Sequence, residues 1–356
     1  MKVSPAKIKI GVESFLKLSE NIPVIDVRSP TEYNAGHIPR AVNIPLFNDR
    51  EREAVGIKYK KEGRIPAILA GIECTAPTMS QKLQQALKIS ENEKLLVHCW
   101  RGGMRSEAMA WLFSLGDIDT EILDGGYKSY RHYILESLSR KKKMIVLGGM
   151  TGRSKTHILR YFKEIGQQVI DLEGLANHKG SAFGSLGQLP QPSTEQFGNI
   201  LFDDWKNADP DLPVWVEDES RNIGSVFLPE RFYLNMQDTP SIILMMNVRT
   251  RLPRLIEEYS TYSREILNAS VMKISKRLGG DNTRDAIGAV ETGDIAKAIE
   301  IILSYYDKAY LFGLRKNRNQ NAVFIETDTD DVKTNALKIL NAAGKINWNQ
   351  AGFIDN

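Results

Sequence analysis

The apolar positions of this chain fall into two patterns. Short unbroken runs occur within Glu93–His98, Met144–Gly149, Gln168–Asp171, Leu212–Glu217 and Thr239–Asn247. They do not alternate with polar residues, as a half-exposed strand would, so they predict strands covered on both faces, as in a parallel sheet. Other segments space their apolar residues for a helix. Ser106-Glu-Ala-Met-Ala-Trp-Leu-Phe113 and Tyr130–Lys143 are two of these. The second ends in Arg140-Lys-Lys-Lys143, a solvated charge run that marks a junction. Strand and helix alternate again from Met144 onward. The expected fold class is therefore α/β throughout, with one domain over residues 1–138 and a second, parallel one over 139–356. The second is expected to carry a polar substrate loop and a helical C-terminal part.

Composition narrows this picture only slightly. The 356 residues are 42% hydrophobic and 26% charged, as expected of a globular protein with room for sizeable cores. The net charge of +3 is too small to mark a nucleic-acid binder, so any basic surface must be local. Neither a signal peptide nor a membrane span is expected, because no apolar run is long enough. Two cysteines make no disulfide framework, which points to a reducing, cytoplasmic setting.

One of those cysteines has unusual surroundings. Val97-His-Cys-Trp-Arg-Gly-Gly-Met-Arg-Ser-Glu-Ala108 runs from a strand through a glycine-arginine loop into a helix. Cys99 should sit at the strand end. Trp100, Arg101, Gly102, Gly103, Met104 and Arg105 should form an anion cradle of curled backbone amides, positive charge and helix dipole. A thiol placed there should ionise early and act as a nucleophile. The residues alone allow two chemistries, a sulfur-family carrier or a phosphatase with a thiophosphate intermediate. Cys74 lacks such a context and is expected to be inert.

Upstream lie Asp26-Val-Arg28, Glu32-Tyr33, Gly36-His-Ile-Pro39 and Ala41-Val-Asn-Ile-Pro45, and downstream Leu123-Asp-Gly-Gly-Tyr127. Over roughly residues 10 to 135 this resembles the rhodanese family, which implies a rhodanese-like α/β domain with Cys99 as the carrier residue. The loop from Cys99 to Arg105 spans seven residues, longer than in simple rhodaneses. Asp26 and Arg28 are expected to be scaffold, tied by charge-assisted hydrogen bonds.

The second domain opens with Met144-Ile-Val-Leu-Gly-Gly-Met-Thr-Gly-Arg-Ser-Lys-Thr156, a strand, a glycine-rich turn and the start of a helix. This looks like a Walker A phosphate loop, with Ser154 where the usual glycine precedes the lysine. Gly149, Thr151, Gly152, Arg153, Ser154, Lys155 and Thr156 are the expected diphosphate-binding residues of a P-loop NTPase-like parallel α/β domain. Glu217, Asp218 and Glu219 end an apolar strand where Mg²⁺ or its water shell could be held; alternation along a strand forbids all three pointing inward. Asp171–Gly184, continuing to about Ser193, reads as a long structureless loop of functional type.

That loop, with Glu217-Asp-Glu-Ser-Arg221 and Ile223-Gly224, resembles the C-terminal half of bacterial tRNA 2-selenouridine synthases. The family joins a rhodanese domain to a P-loop domain, so the resemblance covers nearly the whole chain. It implies a transferase that replaces the sulfur of wobble 2-thiouridine in tRNA with selenium from selenophosphate, through an S-geranyl intermediate made with geranyl diphosphate. It also implies no tightly bound cofactor, and adds Glu173, His178, Lys179 and Arg221 as candidates for metal or substrate contact. The tRNA-binding candidates are Arg249–Arg254, Lys273–Arg277 and Leu314–Arg318, each more often a solvated helix face. Tyr259, Tyr262, Tyr305 and Tyr306 could stack on bases but suit core packing better. The competing readings are a small-molecule sulfurtransferase or phosphatase, and a non-catalytic binding module.

Overall fold

A computed structural model describes residues 8–90, 92–152, 155–317, 322–346 and 348. The chain divides into two compact units, Met1–Ser137 and Leu138–Asn356. In the first, β1 (Ile8–Ile10), β2 (Val24–Asp26), β3 (Val42–Asn43), β4 (Lys94–His98) and β5 (Asp119–Leu123) form a parallel sheet in the order β1-β5-β4-β2-β3. Leu95, Leu96 and Val97 of β4 are buried, which explains the unbroken apolar run there. In a parallel sheet every strand delivers its following loop to the same edge. Asp26, His98 and Leu123 thus end side by side, and the loop carrying Cys99 opens at that edge.

In the second unit, β6 (Met144–Gly149), β7 (Gln168–Ile170), β8 (Val214–Glu217), β11 (Ser241–Met246) and β12 (Ala322–Thr327) form another parallel sheet, in the order β12-β11-β6-β8-β7. The pair β9 (Asn222–Ile223) and β10 (Val226–Phe227) is antiparallel and separate. β6 is central and entirely buried, so Gly149 emerges mid-sheet, two residues beyond Leu147, which lies opposite Glu217 at the end of β8. No described helix is long and apolar enough to cross a membrane.

Three expectations change. The C-terminal part is mostly helical from Val248 to Asn317 but not to its end; the chain then returns to the sheet as β12 and packs helix Val332–Ala343 against the core. The segment after Asp171 is not structureless. Asp171 caps a short helix, Leu172–Leu175, by accepting from the Gly174 amide at 2.7 Å, and turns follow it. The helix after Cys99 begins at Met104, so Met104 and Arg105 belong to its first turn rather than to the loop.

Candidate functional sites

The loop after β4 is shaped by a second loop. The Tyr127 amide donates to the Cys99 carbonyl at 2.8 Å, and that of Lys128 to Trp100 at 3.0 Å. Gly102, at φ 63°, lies so close to this turn that a Cβ would meet the Leu123 carbonyl oxygen at 2.3 Å. Gly126, at φ 61°, would meet Cys99 and Gly102 backbone at 2.4 Å. Both positions need the left-handed conformation and the missing side chain. Gly103 caps the following helix, Met104–Ser114.

Cys99 is buried, at 3% exposure, with its Sγ 3.4 Å from the Ser106 hydroxyl. Burial pushes its pKa up, but the Ser106 hydroxyl, the Arg101 and Ser106 amides and the Arg105 charge outweigh it and bring the thiol below its ordinary value. Ser106 also reaches the Gly103 carbonyl at 2.9 Å. Its single proton cannot serve both, so it turns to sulfur when the thiolate forms. Ser106→Ala should therefore move the pH profile of Cys99 alkylation to higher pH, measured as the rate with iodoacetamide.

Beneath the loop lies a buried polar layer. Arg28 donates to both oxygens of Asp26 and to the Gly36 carbonyl, and stacks 3.7 Å over the Tyr127 ring. Burial raises the Asp26 pKa, but its charged surroundings, Arg28 included, lower it on balance. His98, fully buried, is pushed down to about 4, chiefly by burial, so it is neutral. These residues are scaffold, as the strand-end pair suggested.

Around Cys99 the cradle residues differ in role. Trp100 is partly exposed, 5.9 Å from the Tyr127 ring, and Arg101 is exposed. Arg105 is bound by Glu32 through two hydrogen bonds, 2.6 and 3.2 Å. Glu32 also closes the capping box of helix Pro30–Ala35. Arg105 thus supplies field to the thiolate while its guanidinium is held by a carboxylate.

In the second unit, Gly152 takes φ 81° against Leu255, and the Gly149 amide donates to the Tyr310 hydroxyl at 2.7 Å. Tyr310 in turn donates to Asp218 at 2.9 Å. Arg251, 1% exposed, grips the Thr151 carbonyl at 2.9 Å and Asp307 at 2.5 and 3.0 Å. It lies in a segment considered for tRNA, yet it is an internal brace of the phosphate loop. Arg254 in that segment pairs with Asp330. Removing Arg251 strands Asp307 and a carbonyl. Arg251→Ala should cost about 3 kcal/mol, lowering the melting transition of the second unit by roughly 6 °C or more by calorimetry. Arg153 and Ser154 lie outside the described residues.

Burial lowers the Lys155 pKa, but Glu173, Glu219, Asp218 and Glu217 raise it on balance. Thr156 donates to Glu173 at 3.3 Å. The three acids of β8 and its extension diverge, as alternation requires. Glu217 accepts from the Leu172 amide at 2.8 Å, Asp218 faces Tyr310, and Glu219 meets Glu173 beside Gly180. Burial lifts the pKa of both Glu217 and Glu219 well above the ordinary carboxylate value, with Asp171 and Glu173 adding to Glu217 and Glu173 adding to Glu219. No group of three or more His, Cys, Asp or Glu side chains is arranged to hold a metal ion among the described residues.

The remaining candidates scatter. His178 is buried, its ring between Gly184 and Gly224, and accepts from the Gly180 amide at 3.2 Å. Lys179 pairs with Glu258. Arg221 is exposed. Tyr259, Tyr262, Tyr305 and Tyr306 pack into the helical core. Ser106, Tyr310 and Asp307 drew no role from the sequence, Glu32 entered only as part of a motif and Arg251 only within a tRNA-binding candidate; Glu32, inside a capping-box pattern, carried a local signal there.

The comparisons agree with both halves. A rhodanese-like domain model matches residues 12–133, and a tRNA 2-selenouridine synthase AAA domain model matches residues 142–341. A tRNA 2-selenouridine synthase of Nitrosomonas europaea is 32% identical, over 87% of this chain and 94% of that one. Those of Bdellovibrio bacteriovorus and Shewanella frigidimarina are 31% and 33% identical, over 86% and 85% of this chain and 92% and 91% of theirs. With both domains matched in order and relatives covered nearly end to end, the chain belongs to the tRNA 2-selenouridine synthase family.

Proposed function

We propose that the chain is a cytoplasmic tRNA-modifying transferase that exchanges the sulfur of wobble 2-thiouridine for selenium in two stages. In the first, geranyl diphosphate alkylates the sulfur. Lys155 and the amides of the phosphate loop neutralise the departing diphosphate. Thr156 and Glu173, joined by a hydrogen bond, are the two hard oxygen donors at which a Mg²⁺ keeping most of its water shell would add charge beside the same leaving group.

In the second stage selenophosphate delivers selenium to C2, the alkylated sulfur departs as geranyl thiol, and water carries the phosphoryl group away as phosphate. No electrons change hands overall. Alkylation makes this stage easier, because a thiolate bearing carbon leaves more readily than sulfide. The observation that carries the reading is Cys99, a buried thiol with a lowered pKa inside an anion cradle. The alternative of a small-molecule phosphatase predicts turnover of an aryl phosphate without RNA.

The test is mass spectrometry of wobble nucleosides from 2-thiouridine tRNA incubated with the protein, geranyl diphosphate and selenophosphate, each omitted in turn. The expected products are S-geranyl-2-thiouridine without selenophosphate and 2-selenouridine with both. No change in the tRNA would return the protein to small-molecule chemistry.

A further inference from the structure

The first unit contains a cleft of about 920 Å³ with Cys99 in its wall. Its sides are overwhelmingly apolar and include Phe47, Ile68, Ile72, Met109, Trp111 and Leu112. Helices Asp49–Glu62 and Arg64–Thr75 build much of it, and they are poorly buried for helices inside an enzyme. The first buries no residue, and the second only Ala67, Gly71 and Thr75. Ile72 and Trp111 are left 58% and 47% exposed. Cations stand among the lining residues as well, Lys60, Arg64 and Arg101, all exposed.

We infer that this cleft is the binding site for the hydrocarbon chain on the departing sulfur, so that the geranyl group lies beside Cys99 while selenium replaces sulfur. The inference rests on the function proposed above. In that exchange the hydrocarbon is bonded directly to the atom that leaves C2. Its first carbons must therefore lie next to the reacting centre, wherever the rest of the tRNA goes. A site at Cys99 that performs the step needs apolar volume within bond lengths of the thiol, and the cleft supplies it. Burying the chain there removes apolar surface from water on both partners, while a methyl substituent would leave most of the cleft unfilled. The cleft thus provides selection for the alkylated base over unmodified 2-thiouridine. Arg64 and Arg101 are placed for the anions that accompany it, selenophosphate or the RNA backbone.

Two substitutions test this on the full chain. Ala108→Trp projects an indole into the cleft from an exposed helical position, and Ile72→Asp sets a carboxylate on its wall. Anticodon oligoribonucleotides carrying S-geranyl- or S-methyl-2-thiouridine are supplied with selenophosphate, and selenium incorporation is read by mass spectrometry. The geranyl-to-methyl ratio of kcat/KM should fall at least tenfold in both variants, about 1.4 kcal/mol of differential binding. Calorimetric titration with the S-geranyl nucleoside, without selenophosphate, should show a comparable loss of affinity. Circular dichroism establishes that each variant is folded; at least one folded variant suffices. Unchanged ratio and affinity in a folded variant would overturn the inference and leave selenium transfer standing. So would a variant that merely turns a dimer into a monomer in sedimentation with the ratio unchanged, since the cleft would then be a contact between copies. Wild-type protein that binds the geranyl nucleoside through the cleft but transfers no selenium would sink the proposed function instead. Wild-type protein that does not bind it would end the cleft assignment.

Discussion

Cys99→Ala is expected to reduce selenium incorporation into 2-thiouridine tRNA by roughly a thousandfold or more, the scale seen when a nucleophile is removed from its constellation. The effect should be confined to the second stage. Geranylated tRNA should accumulate with selenophosphate present, because nothing in the phosphate loop depends on the thiol. Nucleoside mass spectrometry of the same reaction reads both quantities. The substitution should leave the fold intact, since alanine keeps most of the packing of a small buried side chain. Full selenium incorporation by the alanine variant would remove Cys99 from the chemistry and reduce its ionisation to a local accident. Cys99→Ser should be nearly as poor, because a serine hydroxyl in the same cradle stays protonated at neutral pH.

Lys155→Ala should have the converse signature, a loss of geranyl diphosphate binding of roughly a hundredfold or more, the scale of a transition-state charge partner. Selenation of tRNA geranylated beforehand should survive it. The lysine also stands beside the buried carboxylates Glu173 and Glu219; burial and the nearby Glu173 hold the Glu219 carboxyl well above the usual carboxylate range. Without the ammonium Glu219 should take up a proton more readily still. Stability of the second unit should therefore fall as pH rises, since ionising Glu219 in the folded state becomes costlier than in the unfolded chain. Binding titrations and melting at two pH values separate the two effects. Unchanged affinity for geranyl diphosphate would exclude the phosphate loop from the first stage.

Much of this was legible in the chain. Continuous apolar runs identified β4, β6, β8 and β11, because central parallel strands leave no polar face; β2 was found through the rhodanese resemblance, and β7 was found although it lies at a sheet edge. β1 and β12 escaped for the opposite reason. They lie at sheet edges, are short or half-exposed, and Phe324 of β12 is 50% exposed. The cysteine loop was legible through its glycines. What surrounds it was not. Glu32 reaches Arg105 only because a distant element brings them together, and Ser106, seven residues after Cys99, meets the thiol only through the course of the loop between them. Arg251 misled for a similar reason, since an arginine on a basic helix face looks the same whether it meets RNA or a buried aspartate. The loop after Asp171 looked structureless because its order comes from an aspartate cap and glycine turns rather than from apolar periodicity.

The interlock of Gly102 with Gly126 has a consequence for how this protein can vary. The cradle is moulded by the turn after β5, not by its own residues alone, and the contact has no room for a methyl group on either side. In a saturation library scored for activity, the two positions should form a matched pair of near-total intolerance, while their neighbour Gly103, with nothing within 4 Å of its would-be Cβ, accepts alanine. Laboratory evolution toward other chalcogen donors would then have to explore Arg101, Met104 and the cleft wall, because the loop's backbone course is fixed from outside.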